Sequence, residues 1–199
     1  MPDETVNILL FLAQGFEDLE AVTTLDVFGW TQYRKHLRKV SVTTAGFHQE
    51  VKGRFGLTIK PDLLYAEIDP KDYRALVLPG GFHSHGFDEA YDSKIHRLAR
   101  EIHANVGYIA TMCVGVLPIA DAGLLTGKEA TTYPHSHFHD NIGRLRVAGA
   151  KVVDKHVVMD DRIISCDGPG SSLEVVFLLM ECLLGAEMAQ EVRRFMIYV

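Results

Sequence analysis

GYIATMCVGVLPIADAG, residues 107–123, passes from a short apolar stretch into a helix-like one, with a single cysteine, Cys113, at the join. Residues 107–112 have the length and apolarity of a strand buried on both faces. Residues 115–122 have helical spacing, with Gly115 and Pro118 in the first turn. Strand, turn and helix in that order are the unit of a parallel sheet, and a side chain on such a turn projects from the sheet's carboxyl edge. Cys113 therefore has two readings. It is a small core residue, as free cysteine commonly is, or a nucleophile raised on an elbow. Gly115, two residues on, permits the sharp turn, whereas Thr111 stands where such elbows usually carry a glycine. Unpaired amides and partial positive charge at the helix start predict a thiol pKa below the free value of about 8.5.

The same alternation runs through the rest of the chain. Residues 6–13 form a continuous apolar run. A glycine turn follows, and then a helical pattern with Leu19, Val22, Leu25 and Phe28 at its apolar positions. Residues 39–45 are rich in β-branched side chains, and residues 51–63 carry the glycine punctuation of a hairpin. Short buried strands at 75–78, 107–112 and 129–132 each feed a special loop, with helices at 93–103 and 115–122. Further strands are expected at 151–153, 156–160 and 163–166, then an apolar helix at 173–184 and an amphipathic one from Ala186. Strands alternating with helices predict a mostly parallel sheet covered on both faces. With no linker, repeat or low-complexity tract, residues 1–199 read as one domain.

The formal net charge is -6, and the one basic cluster, residues 34–39, is short, which excludes the concentrated positive footprint that nucleic acid requires. No apolar stretch is long enough to span a bilayer, and the start MPDETVNILLFLAQ lacks the positive region of a signal peptide. Three cysteines, Cys113, Cys166 and Cys182, are a sparse, odd set that fits free thiols in a reducing compartment, so a cytoplasmic protein is expected. Cys166 and Cys182 read as structural.

Four loops converge at the carboxyl edge of such a sheet. In the first, Glu17, Asp18 and Glu20 have the ordinary role of acids in a helix first turn. Glu17 and Glu20 also lie near one face, where a carboxyl beside a thiolate stays protonated and donates to sulfur. In the second, Gly80 and Gly81 allow a backbone amide to approach an oxyanion closely, with the Val114 amide as partner. The third is the Cys113 turn. The fourth, YPHSHFHD, sets His135, His137 and His139 at alternate positions after Tyr133. With His83 and His85, five of the ten histidines fall in two loops. Their residue types suit a metal, general acid/base work or a solvated polar loop. No cysteine or carboxylate spacing fixes a metal site, so none is assigned.

GFEDLEAVTTLDVF at 15–28, ALVLPGG at 75–81, YIATMCVGV at 108–116, ATTYP at 130–134 and IISCDGPGSSLEVVFLLMECLLG at 163–185 occur in the order seen in the ThiJ/PfpI superfamily. Along nearly its whole length the chain most resembles the branch that contains the Parkinson-disease protein deglycase. The resemblance implies an α/β, flavodoxin-like three-layer sandwich with a nucleophile-elbow cysteine, and a homodimer. By motif position it implies that Cys113 accepts a hydrogen bond from Glu20, with Glu17 the next candidate acid. It further implies a cofactor-independent enzyme acting on a small-molecule carbonyl, by methylglyoxal hydration or deglycation. A redox-sensing or chaperone-like stress protein is the alternative, and a hydrolase, peptidase-like or isonitrile-hydratase-like activity is the third. Departures narrow the choice. Val114 replaces the histidine that follows the nucleophile in peptidase-like members, and His156 is not followed by the His-x-Glu pattern of the amidotransferase relatives. Tyr133 stands where the branch commonly has histidine before the proline, leaving His135 and His137 as nearby substitutes. Asp167 stands where arginine often precedes GPG.

Overall fold

The computed structural model describes residues 5–198. Residues 1–4, which open the stretch read above as lacking a signal peptide's positive region, and residue 199 of the expected domain lie outside the described residues. The strands are β1 (Val6–Phe11), β2 (Val40–Gly46), β3 (Val51–Lys52), β4 (Thr58–Ile59), β5 (Leu63–Leu64), β6 (Ala75–Leu78), β7 (Tyr108–Thr111), β8 (Glu129–Ala130), β9 (Lys151–Val152), β10 (Val157–Asp160) and β11 (Ile163–Cys166). The α-helices are α1 (Asp18–Gly29), α2 (Ser93–Ala104), α3 (Val116–Asp121), α4 (Asn141–Val147), α5 (Ser172–Leu184) and α6 (Ala186–Phe195).

Seven strands form one sheet in the order β10-β11-β7-β6-β1-β2-β5, parallel throughout except for the β10–β11 pair. Alternation along each strand divides the apolar side chains between two layers. In β1, Leu9 and Phe11 face one layer, with Ile95, Leu98 and Ile102 of α2 and Ile119 of α3. Ile8 and Leu10 face the other, with Val27 and Phe28 of α1 and Val176, Phe177 and Leu179 of α5. This two-sided burial is why β1, β6 and β7 read as unbroken apolar runs. Each of the large buried side chains contributes roughly 1.5–3 kcal/mol of transfer free energy. The expected mostly parallel α/β architecture is what the structure shows. None of its helices is long and apolar enough to cross a membrane, among the described residues.

The structure departs from the sequence reading in three places. The apolar spacing of α1 predicted Leu19 and Val22 on the buried face, but they are 52% and 41% exposed. Glu20, Ala21, Thr23, Thr24, Val27 and Phe28 face inward instead. Polar anchors set this rotation: Glu20 bonds the chain after β6, and Asp18 bonds the β3–β4 hairpin outside. The strand expected at 129–132 is β8 alone, which pairs with β9 in a separate two-stranded sheet. Thr131 N–H donates to Ser165 Oγ at 3.1 Å and Thr132 Oγ1 donates to the Cys113 carbonyl at 3.1 Å, which takes these residues past the sheet edge. Helix α4 was unforeseen; it is short, and Asp140 caps it by accepting from Gly143 N–H at 2.8 Å.

Strand β1 lies between β2 and β6, so the loops leaving β1 and β6 separate at this point in the sheet and open a crevice at the carboxyl edge. The β7 turn borders it. Gly115 closes that turn against β6: a Cβ there would stand 2.4 Å from the Leu78 carbonyl oxygen and 2.8 Å from that of Pro79. Gly115→Ala is therefore expected to destabilise by roughly 2–4 kcal/mol, measured by urea denaturation. Unchanged stability would mean that the turn is not held this tightly.

Candidate active site

Cys113 opens a short 3-10 turn, Cys113–Gly115, between β7 and α3, and its φ is +53°. A non-glycine residue in the left-handed region costs on the order of 1–3 kcal/mol and persists only where its surroundings fix it. Several contacts do so. Gly115 N–H donates to the Met112 carbonyl at 2.8 Å, and Thr132 Oγ1 holds the Cys113 carbonyl. The Cys113 N–H donates to the Cys166 sulfur, whose own thiol donates to the Gly168 carbonyl at 3.4 Å. The Val114 N–H turns to the Cys113 sulfur. From the other side, a Cβ at Gly80 would lie 2.8 Å from the Cys113 Cβ, so only glycine leaves the cysteine room.

Glu20 reaches this turn from α1. It is fully buried, and its Oε2 accepts from the Gly80 N–H at 2.6 Å. Its Oε1 is buried and has no hydrogen-bond partner. The loops that carry the two residues are stitched together. Glu17 N–H donates to the Gly80 carbonyl and Phe82 N–H to the Gly15 carbonyl, each at 2.9 Å, around an antiparallel bridge between Phe16 and Gly81. The Gly81 amide lies between those bonds and outside them, whereas the Gly80 amide is engaged by Glu20. That corrects the expectation of Gly80 as an oxyanion donor. Glu17 caps α1 by accepting from Glu20 N–H at 2.9 Å, which is the ordinary role foreseen for an acid there.

Burial dominates the ionisation of this pair. The Glu20 carboxyl is raised from 4.5 to about 8, chiefly by desolvation, against the lowering effect of the Gly80 N–H. Glu17 is also raised, again by burial first. The Cys113 thiol is pushed up by burial and then by the neighbouring Glu20 charge, and the Val114 N–H only partly offsets this. The expected fall below the free thiol value is thus overturned: Cys113 is 9% exposed, and loss of water outweighs a single amide at a short helix start. A charge on Glu20 raises Cys113, so ionisation of both groups at once is disfavoured.

Outside this floor lies a cavity of about 710 Å³, lined in part by Glu17, Gly81, Cys113, Val114 and Tyr133. His135 and His137 line it too but are exposed, and neither hydrogen-bonds Cys113. The His135 ring lies edge-on to Tyr133 with centroids 5.8 Å apart. His83, also on the wall, is held by Asp88 at 2.6 Å and sits 4.7 Å from the His139 ring. Among the described residues, no group of three or more His, Cys, Asp or Glu side chains is placed to hold a metal ion. Lining residues not singled out from sequence include Phe55, Phe82, Phe138 and Asn141. Asn141 Nδ2 donates to the Tyr133 carbonyl at 2.9 Å and fixes the wall. An aromatic directly after the diglycine and another between two histidines were the available signals for Phe82 and Phe138.

With this geometry in hand, comparison with known proteins is informative. The DJ-1/PfpI family matches residues 6–182. The chain is 32% identical over 197 residues to the protein DJ-1alpha of Drosophila melanogaster, covering 96% of this chain and 84% of that one. It is 30% identical over 166 residues to the deglycase PfpI of Pyrococcus furiosus, covering 83% and 92%. The crystal structure of Drosophila melanogaster DJ-1beta superposes with a TM-score of 0.83 at 28% identity, covering 98% of this chain and all of that one.

Because the folded pKa of Glu20 lies above its unfolded value, the unfolded chain gives up this proton first as pH rises. The group's contribution to stability is full below about pH 4.5 and declines until about pH 8, by on the order of 4 kcal/mol. Glu20→Gln is therefore expected to gain stability relative to the parent across that window, measured by urea denaturation at pH 5 and pH 8. A difference that does not change with pH would contradict a buried, protonated carboxyl.

Proposed function

Because this chain belongs to the DJ-1/PfpI family, we propose that it is a cysteine-dependent enzyme acting on small reactive carbonyl compounds, of the methylglyoxal-hydration or deglycation type, in protection against such compounds. The observation that carries this reading is the fully buried Glu20 carboxyl, high in pKa, with one oxygen fixed by Gly80 and a charge that the Cys113 thiol would feel; its other oxygen has no hydrogen-bond partner, so the bond to Cys113 that the resemblance implies is not formed in this structure. A carboxyl in that state supplies a proton and then takes one back within a single catalytic cycle.

The reaction balances without an external oxidant or reductant. From the form in which Glu20 is protonated and the sulfur ionised, the Cys113 thiolate adds to the aldehyde carbon, and the carbonyl oxygen takes the Glu20 proton to give a hemithioacetal. The Glu20 carboxylate then removes the hydrogen of that carbon as a proton. The electron pair forms the carbon–carbon double bond of an enediol, and Glu20 passes the proton to the neighbouring carbonyl oxygen. The Glu20 carboxylate next takes the hydroxyl proton of the first carbon and delivers it to the second carbon as the carbonyl re-forms, leaving a thioester, which water cleaves to a 2-hydroxy acid and free Cys113. One carbon is oxidised, its neighbour is reduced, and one water is consumed. The Gly81 amide is the donor for the developing oxyanion, and the Val114 N–H, which faces the Cys113 sulfur, favours the thiolate. Tyr133, His135 and His137 contact the substrate as walls, and Glu20 handles the protons.

The homodimer belongs to the same reading. Leu19 and Val22 form an exposed apolar step on α1, beside the site, that a second copy would cover. The redox-sensing alternative requires an accessible, acidic thiol, and the buried Cys113 gives it less support. Lactate formed from methylglyoxal should fall by about a hundredfold or more in both Cys113→Ser and Glu20→Gln, measured enzymatically. Full activity in either variant would discard the mechanism.

A further inference from the structure

The cavity above Cys113 is far larger than a three-carbon aldehyde needs, which would fill on the order of a tenth of its 710 Å³ at protein packing density. Its outer wall is aromatic. Phe55 and Phe82 stand edge to face with centroids 5.6 Å apart, and Phe138 faces the same space. Phenyl groups left in water forgo transfer free energy, and Phe138 is 89% exposed. Exposed apolar side chains gathered around one cavity mark a ligand groove.

These rings are held in place by hydrogen bonds from the loops that carry them. Asp18 accepts from the Phe55 N–H at 2.9 Å and the Leu57 N–H at 2.8 Å, which ties the β3–β4 hairpin to the start of α1. Arg54 N–H donates to the Phe16 carbonyl at 2.9 Å, and its guanidinium lies over Phe55 and Phe82 at 5.3 and 5.7 Å. Phe82 N–H is bonded to Gly15. On the facing wall, Ser136 Oγ accepts from the Phe138 and His139 N–H groups at 3.3 and 3.1 Å. The lining contains no lysine or arginine, and its one acid is Glu17. Among the lining residues a phosphate or carboxylate tail would find no lysine or arginine, Arg54 being stacked on the Phe55 and Phe82 rings, while a neutral ring would find three phenyls.

We infer that the substrate is an uncharged aromatic 2-oxoaldehyde, an arylglyoxal, whose aldehyde reaches Cys113 while its ring lies among Phe55, Phe82 and Phe138. This rests on the carbonyl-enzyme reading above, and the chemistry is unchanged: arylglyoxal and water give an aryl 2-hydroxy acid through the same hemithioacetal, enediol and thioester. The ring adds binding at a distance from the reacting carbons.

The test compares kcat/KM for phenylglyoxal and methylglyoxal in the parent protein, Phe82→Ala and Phe138→Ala, together with calorimetric binding of mandelate and lactate to Cys113→Ser. The expected result is a preference for phenylglyoxal of roughly tenfold or more, the factor that burial of an additional ring implies. That ratio should fall about fivefold in each alanine variant, and mandelate should bind more tightly than lactate by a similar tenfold factor. Turnover of methylglyoxal with no aromatic preference, or a ratio unmoved by both variants, overturns the inference and leaves the carbonyl-enzyme reading standing. If neither aldehyde is consumed, that reading fails, and binding decides the inference: selective binding of mandelate upholds the aromatic pocket, and equal binding overturns it.

Discussion

The structure of the site depends on burying one carboxyl group. Glu20 has no access to water, a single donor in the Gly80 N–H, and a second oxygen with no protein partner. A charge in that setting is costly, so the group keeps its proton well into the range where carboxyls are normally ionised. The same burial fixes the surroundings. It turns α1 so that Glu20 and Thr24 face inward while Leu19 and Val22 face out, and it requires glycine at position 80, where any side chain would meet Cys113.

The fold supplies the convergence that this arrangement needs. The loops after β1, β6 and β7 leave adjacent strands at one sheet edge, and short backbone bonds between the first two lock Glu20 beneath the diglycine. The left-handed φ of Cys113 is tolerated because carbonyl, amide and sulfur partners hold the turn from several directions. The proposed mechanism does not draw on an intrinsically acidic thiol. A charge on Glu20 raises Cys113, so the sulfur ionises more readily while the carboxyl keeps its proton. Above this rigid floor, the hairpin and the residue 133–139 loop form walls whose composition is free to differ without disturbing the reacting groups.

Much of this was legible in the chain. Parallel strands buried on both faces leave continuous apolar runs, so β1, β6 and β7 stood out, and Cys113 was placed on its turn by the strand before it and Gly115 after it. Other features were not legible because they are settled by tertiary contacts. The orientation of α1 follows polar anchors and not its leucine spacing. Residues 131–132 have the look of a strand, yet their hydrogen bonds go to Ser165 and Cys113. The thiol pKa was misjudged since a helix start is visible in sequence, whereas the depth of burial is not. Gly80 was correctly placed near the sulfur, but only the structure shows that its amide serves Glu20. The histidines drew attention by number, while the phenyls among them, Phe82 and Phe138, proved to line the same cavity.

A mechanism in which Glu20 keeps its proton while the Cys113 sulfur ionises makes a direct statement about the ionisation of that carboxyl. Carbon-13 NMR of protein labelled at the glutamate side-chain carboxyl carbons, titrated in the parent and in Glu20→Gln, reads it without reference to any substrate. The account predicts one glutamate with a midpoint near pH 8 in the parent that is missing from the variant. Titration of every glutamate below about pH 5, in both proteins, would contradict it.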